Sequence, residues 1–153
     1  MKTVKTMLLN KNKGILSTTP DATVFTAIQL MSEKNVGALL VIDNEKLAGI
    51  ITERDYTRKV ILEGRSSKET LVKEIMTRNV LSIRPDNTNE ECMALMTEKH
   101  LRHLPVIDNE RVIGMISIRD VVKAIMSEQH FTIEELQSDR NLRNLVFRAF
   151  ENL

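Results

Sequence analysis

At 153 residues, with 42% hydrophobic and 28% charged side chains, the chain has the composition of an ordinary globular protein able to bury a core. Its 22 basic and 21 acidic side chains nearly cancel, which excludes a global field drawing it to nucleic acid or to an anionic membrane, so any anion site must be local. The single cysteine, Cys92, excludes an internal disulfide and a multi-cysteine metal cage, and no apolar run approaches the length of a membrane span.

Residues 1–13 offer only the apolar pair Leu8 and Leu9, too little for a signal-peptide core, and a cytoplasmic protein is expected. Ile15–Thr18 is a short β-rich run stopped by Pro20. Val24, Ala27, Ile28 and Met31 then fall at i, i+3, i+4 and i+7, the apolar face of a helix. Ala38–Ile42 and Leu47–Thr52 are apolar runs separated by Asp43-Asn44-Glu45-Lys46, turn chemistry that closes a hairpin. A second helix is predicted over Glu53–Glu63, ending at Gly64, where a left-handed residue suits a helix C-terminus. Arg65–Thr70 reads as a polar linker and Leu71–Met76 as a short connecting helix.

At Val80 the pattern starts again. A shift of 65 positions, Pro20 onto Pro85, aligns Ile15–Ile61 with Val80–Met126 without a gap, and about 19 of roughly 47 positions are identical. Val41-Ile42-Asp43-Asn44-Glu45 recurs as Val106-Ile107-Asp108-Asn109-Glu110, Gly49 as Gly114, and Arg54-Asp55 as Arg119-Asp120. Each half, strand-helix-strand-strand-helix, buries too little surface to stand alone comfortably, which predicts one pseudo-symmetric module. The order β-α-β-β-α, the Val-Ile-Asp close of the middle strand, the Gly-x-x-Thr/Ser-x-x-Asp end of each repeat and the stretch Arg102-His103-Leu104-Pro105-Val106-Ile107-Asp108 resemble the CBS domain family, named for cystathionine β-synthase. The expected fold is therefore α/β (α+β): repeat 1 over 8–64, a linker over 65–70, repeat 2 over 71–129 and a helical tail over 130–153.

The chemistry concentrates in Thr52-Glu53-Arg54-Asp55 and Ser117-Ile118-Arg119-Asp120, each where a strand feeds a helix. Such a junction is expected to supply unpaired amides and the positive end of a helix dipole to a phosphate. The Thr52 or Ser117 hydroxyl and the Arg54 or Arg119 guanidinium would add donors, and the Asp55 or Asp120 carboxylate matches the two hydroxyls of a ribose. The same Thr/Ser-x-x-Asp spacing also serves as a capping box, in which hydroxyl and acid only satisfy the first amides of the helix.

The resemblance implies an adenine nucleotide, AMP, ADP, ATP or NAD(H), held between the two repeats as a regulatory ligand and not as a catalytic cofactor. It places the base of the Ser117, Arg119 and Asp120 site against Thr19, Val24, Val36, Gly37 and Ala38. The mirror site, using Thr52, Arg54 and Asp55, draws on Arg84, Asn89, Leu101 and Arg102, a more polar set because Arg84 and Asn89 replace a threonine and a valine. It sets His103 beside the phosphates, implies a homodimer, and implies regulation of a separate, unknown protein.

His100 and His103 are three apart, but His103 opens a predicted strand and no third ligand lies near in sequence, so no metal is expected. Cys92 falls on an apolar helix face as a small hydrophobe. With no Ser/His/Asp arrangement, Walker loop or paired acids, no enzymatic activity is expected. In the tail, Thr132-Ile133-Glu134-Glu135 reads as a capping box opening a helix whose stripe is Leu142, Leu145, Val146, Ala149, Phe150 and Leu153, packed on its own module or across a dimer. The competing reading is a structural protein–protein interaction module in which the Thr/Ser-x-x-Asp motifs are helix caps and nothing more.

Overall fold

The computed structural model of the chain describes residues 2–11, 14–129 and 140–151. It divides into two compact units. One consists of Ile15–Val80 with Asn109–Val112, the other of Met1–Gly14, Leu81–Asp108 and Ile113–Leu153. The architecture is the mixed α/β one that the repeat predicts.

In the first of these units, β1 (Ser17–Thr18) lies parallel to β2 (Ala38–Asp43), which pairs antiparallel with β3 (Lys46–Thr52). The β2–β3 turn has positive φ at both central residues, Asn44 at 50° and Glu45 at 67°, the backbone a two-residue hairpin needs to match strand twist. Helix α2 (Val24–Lys34) starts at Thr23, whose hydroxyl accepts from the Thr26 amide, and stops at Asn35, which is left-handed at φ 54°. Val24, Ala27 and Met31 from its apolar face are buried with Leu39, Val41, Ile51 and Val60.

Helix α3 (Glu53–Tyr56) departs from the single helix predicted over Glu53–Glu63: it widens to a π-helix over Thr57–Ile61, with the Leu62 amide donating to the Thr57 carbonyl. The Thr57 hydroxyl bonds back to the Glu53 carbonyl, a competition that loosens an α-turn. Gly64 takes the predicted left-handed conformation, φ 66°. The polar stretch 65–70 is tied to α2, since the Val24 and Phe25 amides donate to Thr70 and Ser67. Helix α4 (Val72–Ile75) packs on the repeat that precedes it: the Val72 and Lys73 amides donate to Ala22 and Pro20.

The other unit repeats this plan. Helix α1 (Val4–Leu9) stands where α4 stands in the first unit, with the Val4 and Lys5 amides donating to Asn87 and Pro85, the counterparts of Ala22 and Pro20. Helix α5 (Asn89–Lys99) begins at the Thr88 cap and ends at His100, left-handed at φ 55° where repeat 1 has Asn35. Strands β4 (His103–Asp108) and β5 (Arg111–Ser117) form the hairpin, and α6 (Ile118–Gln129) follows. The expected first strand of this repeat is reduced to one bridge, Ile83 with Val106, in the same register as Thr18 with Val41. Pro105 explains the loss. In repeat 1 the Leu40 amide donates to Leu16, and its counterpart Pro105 has no N–H to give.

Helix α7 (Arg140–Glu151) packs on α5, with Ala149 in the core and Leu145 against it. The Thr132–Glu135 capping box and the side chains of Leu142, Val146, Phe150 and Leu153 lie outside the described residues. Among the described residues no helix is long and apolar enough to cross a membrane.

Gly49 and Gly114 are equivalent in the repeat, yet what faces them differs. A Cβ on Gly49 would lie 2.5 Å from the Thr77 backbone oxygen, whereas one on Gly114 would meet the end of the Leu8 side chain at 2.7 Å. Backbone cannot yield as a leucine tip can. Gly49→Ala is expected to destabilise by about 1–3 kcal/mol and Gly114→Ala by clearly less. Urea unfolding of both variants checks this, and equal costs would contradict it.

Candidate functional site

Both strand-to-helix junctions are built the same way. In repeat 1 the Thr52 amide and hydroxyl donate to Asp55 Oδ2 at 3.0 and 3.1 Å, and the Asp55 amide donates to Thr52 Oγ1 at 3.1 Å. In repeat 2 the Ser117 amide and hydroxyl donate to Asp120 Oδ2 at 2.8 and 2.9 Å, and the Asp120 amide donates to Ser117 Oγ at 3.2 Å. The first helical amide is satisfied from the strand before the hairpin: Glu53 donates to Gly37 O and Ile118 to Arg102 O. Each junction is thus a complete capping box. The expectation of unpaired amides is corrected for Thr52, Glu53 and Asp55 and for Ser117, Ile118 and Asp120, whose amides are taken by serine or threonine, aspartate and a strand carbonyl. An anion here would be held by side chains and by the helix dipole.

Each aspartate also meets a lysine, by different routes. Lys59, one turn along from Asp55, lies 3.1 Å from Asp55 Oδ1 and donates to the Ile75 carbonyl at 2.9 Å. Asp120 has Ala124 at the corresponding place and draws its cation from outside the repeat: Lys11 lies 2.8 Å from Asp120 Oδ2 and donates to the Met115 carbonyl at 2.9 Å. Burial pushes the Asp120 carboxyl up, but the Lys11 and Ser117 hydrogen bonds outweigh it and hold the group below its usual range. Sequence reasoning missed both lysines. The i, i+4 spacing of Asp55 and Lys59 was a usable signal. Lys11 has none, because it precedes the aligned repeats.

Arg102 and His103 stand at the Asp120 junction, where repeat 1 has Gly37 and Ala38. Burial, then Lys11 and Arg102, push the His103 imidazole down to about 4 against the opposing pull of Asp120, so it is neutral at physiological pH. Arg54 and Arg119 are exposed beside their aspartates. In the first unit Ala38 pairs with Thr52 across the hairpin, and Val36 and Gly37 line a recess of about 380 Å³ with Glu53, Ile28, Met31, Ser32 and Asn35. Val24 and Ala38 are fully buried, whereas Thr19 is exposed. In the other unit Asn89 is buried, its Oδ1 accepting from the Glu90 amide, Arg84 is exposed and ion-paired with Asp86, and Leu101 packs against the core. His100 is occupied as a helix C-cap. Cys92 is buried and its thiol is pushed up to about 11 by burial and by Glu91.

The CBS domain family model matches residues 9–61 and 72–127. The chain belongs to the CBS domain family, as a pair of such domains. It is 44% identical over 144 residues to the Arabidopsis thaliana CBS domain-containing protein CBSX3, mitochondrial, a match covering 88% of this chain and 68% of the relative. A structure of a protein with CBS domains from Burkholderia ambifaria MC40-6 aligns at 51% identity and TM-score 0.80 over 86% of this chain and 99% of that one. A crystal structure of CBSX2 in complex with AMP aligns at 27% identity and TM-score 0.69, over 84% and 99%.

The His103 environment sets a pH dependence. The unfolded chain takes up a proton near the ordinary histidine value of 6.5, while the folded one refuses it until about 4, so stability falls as pH drops through that window. Asp120, held below its usual 3.8, contributes stability that is lost only at lower pH. His103→Gln is expected to lose less stability than wild type between pH 7 and pH 4.5. Thermal melts at the two pH values measure it, and equal losses would contradict it.

Proposed function

We propose that this CBS pair is a regulatory module that binds an adenine nucleotide, AMP, ADP, ATP or NAD(H), through its strand-to-helix junctions and acts on a separate protein without catalysing a reaction. The observation that carries the reading is the Asp120 junction. There a carboxylate, a hydroxyl and a helix N-terminus converge beside Arg102, Arg119 and a neutral imidazole. The carboxylate suits the two ribose hydroxyls. When they donate to Asp120, the Ser117 hydroxyl is released from it and turns to a phosphate oxygen, with Arg119 supplying charge. For the base we retain the residues that the resemblance assigns, Thr19, Val24, Val36, Gly37 and Ala38. Thr52, Arg54 and Asp55, with Arg84, Asn89, Leu101 and Arg102, form the weaker set. That the related CBSX2 structure contains AMP supports the choice of ligand class. A homodimer and a cytoplasmic location complete the proposal, although the Arabidopsis relative is named as mitochondrial.

The capping boxes favour a second reading, in which both motifs only start helices and the chain is a structural interaction module. Binding separates the two. AMP at about 100 times its dissociation constant is expected to stabilise the protein by roughly 2.7 kcal/mol, with no comparable shift from GMP. Asp120→Asn, which keeps an acceptor for the cap, is expected to weaken AMP binding by roughly ten- to hundred-fold, and Asp55→Asn by less. The asymmetry follows from Gly37, Ala38 and the extra carboxylate of Glu53 at the first junction, where the second has Arg102, His103 and Ile118. Calorimetric titration of the three proteins tests it. A larger loss from Asp55→Asn would reverse the assignment, and no stabilisation by any adenine nucleotide would leave the structural reading standing.

A further inference from the structure

Resting on the nucleotide reading above, we infer that Lys11 is a ligand-contacting residue that makes the Asp120 site select phosphorylated nucleosides over their unphosphorylated counterparts. Lys11 lies two residues beyond the end of α1, and α1 is fixed by Val4 and Met7 in the core and by Leu8 against Gly114. That anchorage brings its ammonium to Asp120 Oδ2 at 2.8 Å and to the Met115 carbonyl at 2.9 Å, with a quarter of the side chain still accessible. The capping box has taken the Ser117 and Asp120 amides and the Arg102 carbonyl the Ile118 amide, so a phosphate at this junction cannot rely on those three and gains from a cation.

Lys11 is suited to that task. An ammonium has three donors, of which the carboxylate and the carbonyl use two, and the third remains for a phosphate oxygen. A ribose donating to Asp120 would weaken the hold of the carboxylate on Lys11 and turn more of its charge toward the phosphate. Arg102 adds a second positive charge acting on His103, which stays neutral, so the junction favours an added anion. The equivalent junction in repeat 1 holds its lysine within its own helix and carries Glu53 as well, which opposes an anion. The distinguishing feature is that the N-terminal segment, ahead of the aligned stretch Ile15–Ile61, completes the phosphate end of one half-site.

The test is calorimetric titration of the full chain with AMP and with adenosine, in wild type, Lys11→Met and Lys11→Arg, with thermal melts to establish that each variant folds. Lys11→Met is expected to lose roughly ten- to hundred-fold in affinity for AMP while changing adenosine affinity by less than about twofold, and Lys11→Arg to recover most of the AMP loss. Unchanged AMP binding by Lys11→Met, or equal losses for AMP and adenosine, would overturn the inference and leave the nucleotide reading intact. Wild-type protein that binds neither compound would overturn both.

Discussion

A carboxylate folded back on the first turn of its own helix is the interaction on which each half of this protein depends. Asp55 and Asp120 each close a strand-to-helix junction by taking the amide and hydroxyl of the residue three positions earlier. The direction in which the chain leaves β3 or β5 is fixed there, and with it the path of the helix that follows. The same bonds use up two amides at each junction that would otherwise attract an anion, so an anion there would draw mainly on the helix dipole and on side chains gathered around the carboxylate. A carboxylate held below its usual range by a lysine and a cap stays ionised through physiological pH, the state a ribose diol needs from its acceptor.

The two repeats show how far local sequence differences can move apart junctions with one plan. Repeat 1 supplies its lysine internally and brings in Glu53, while repeat 2 replaces Gly37 and Ala38 with Arg102 and His103 and recruits Lys11 from the N-terminal segment. The short helices carry this further. Helix α4 follows repeat 1 and packs on it, whereas α1 lies ahead of the aligned stretch Ile15–Ile61 and packs in the unit that holds most of repeat 2, so the compact units are not the two aligned stretches. Lys11 reaches Asp120 because of that exchange.

Most of the secondary structure was legible because it follows from short-range chemistry. The i, i+3, i+4 spacing of Val24, Ala27, Ile28 and Met31, the Asn44-Glu45 turn and the left-handed Gly64 each declare themselves within a few residues, and the 65-residue repeat doubles the evidence. Three features were not legible. The π-turn over Thr57–Ile61 replaces a helix of unremarkable pattern, and the Thr57 back-bond that accompanies it has no periodic signal. The missing strand of repeat 2 follows from Pro105 only once the parallel register is known. Lys11 was invisible because its contact with Asp120 spans 109 positions and has no counterpart at the repeat spacing. At the junction itself, the motif singles out Ser117, Arg119 and Asp120 and the resemblance adds His103, while the state of the amides around them depends on Arg102 offering its carbonyl to Ile118.

The central claim, that the Asp120 junction is a nucleotide half-site as well as a helix cap, is most directly tested by native mass spectrometry of the purified chain, alone and after addition of AMP, ADP, ATP or NAD. The account predicts a discrete adduct with the mass of an adenine nucleotide, which Asp120→Asn removes or strongly depletes while the protein stays folded. Spectra showing only the bare chain with every nucleotide at saturating concentration, or an adduct untouched by Asp120→Asn, would contradict it.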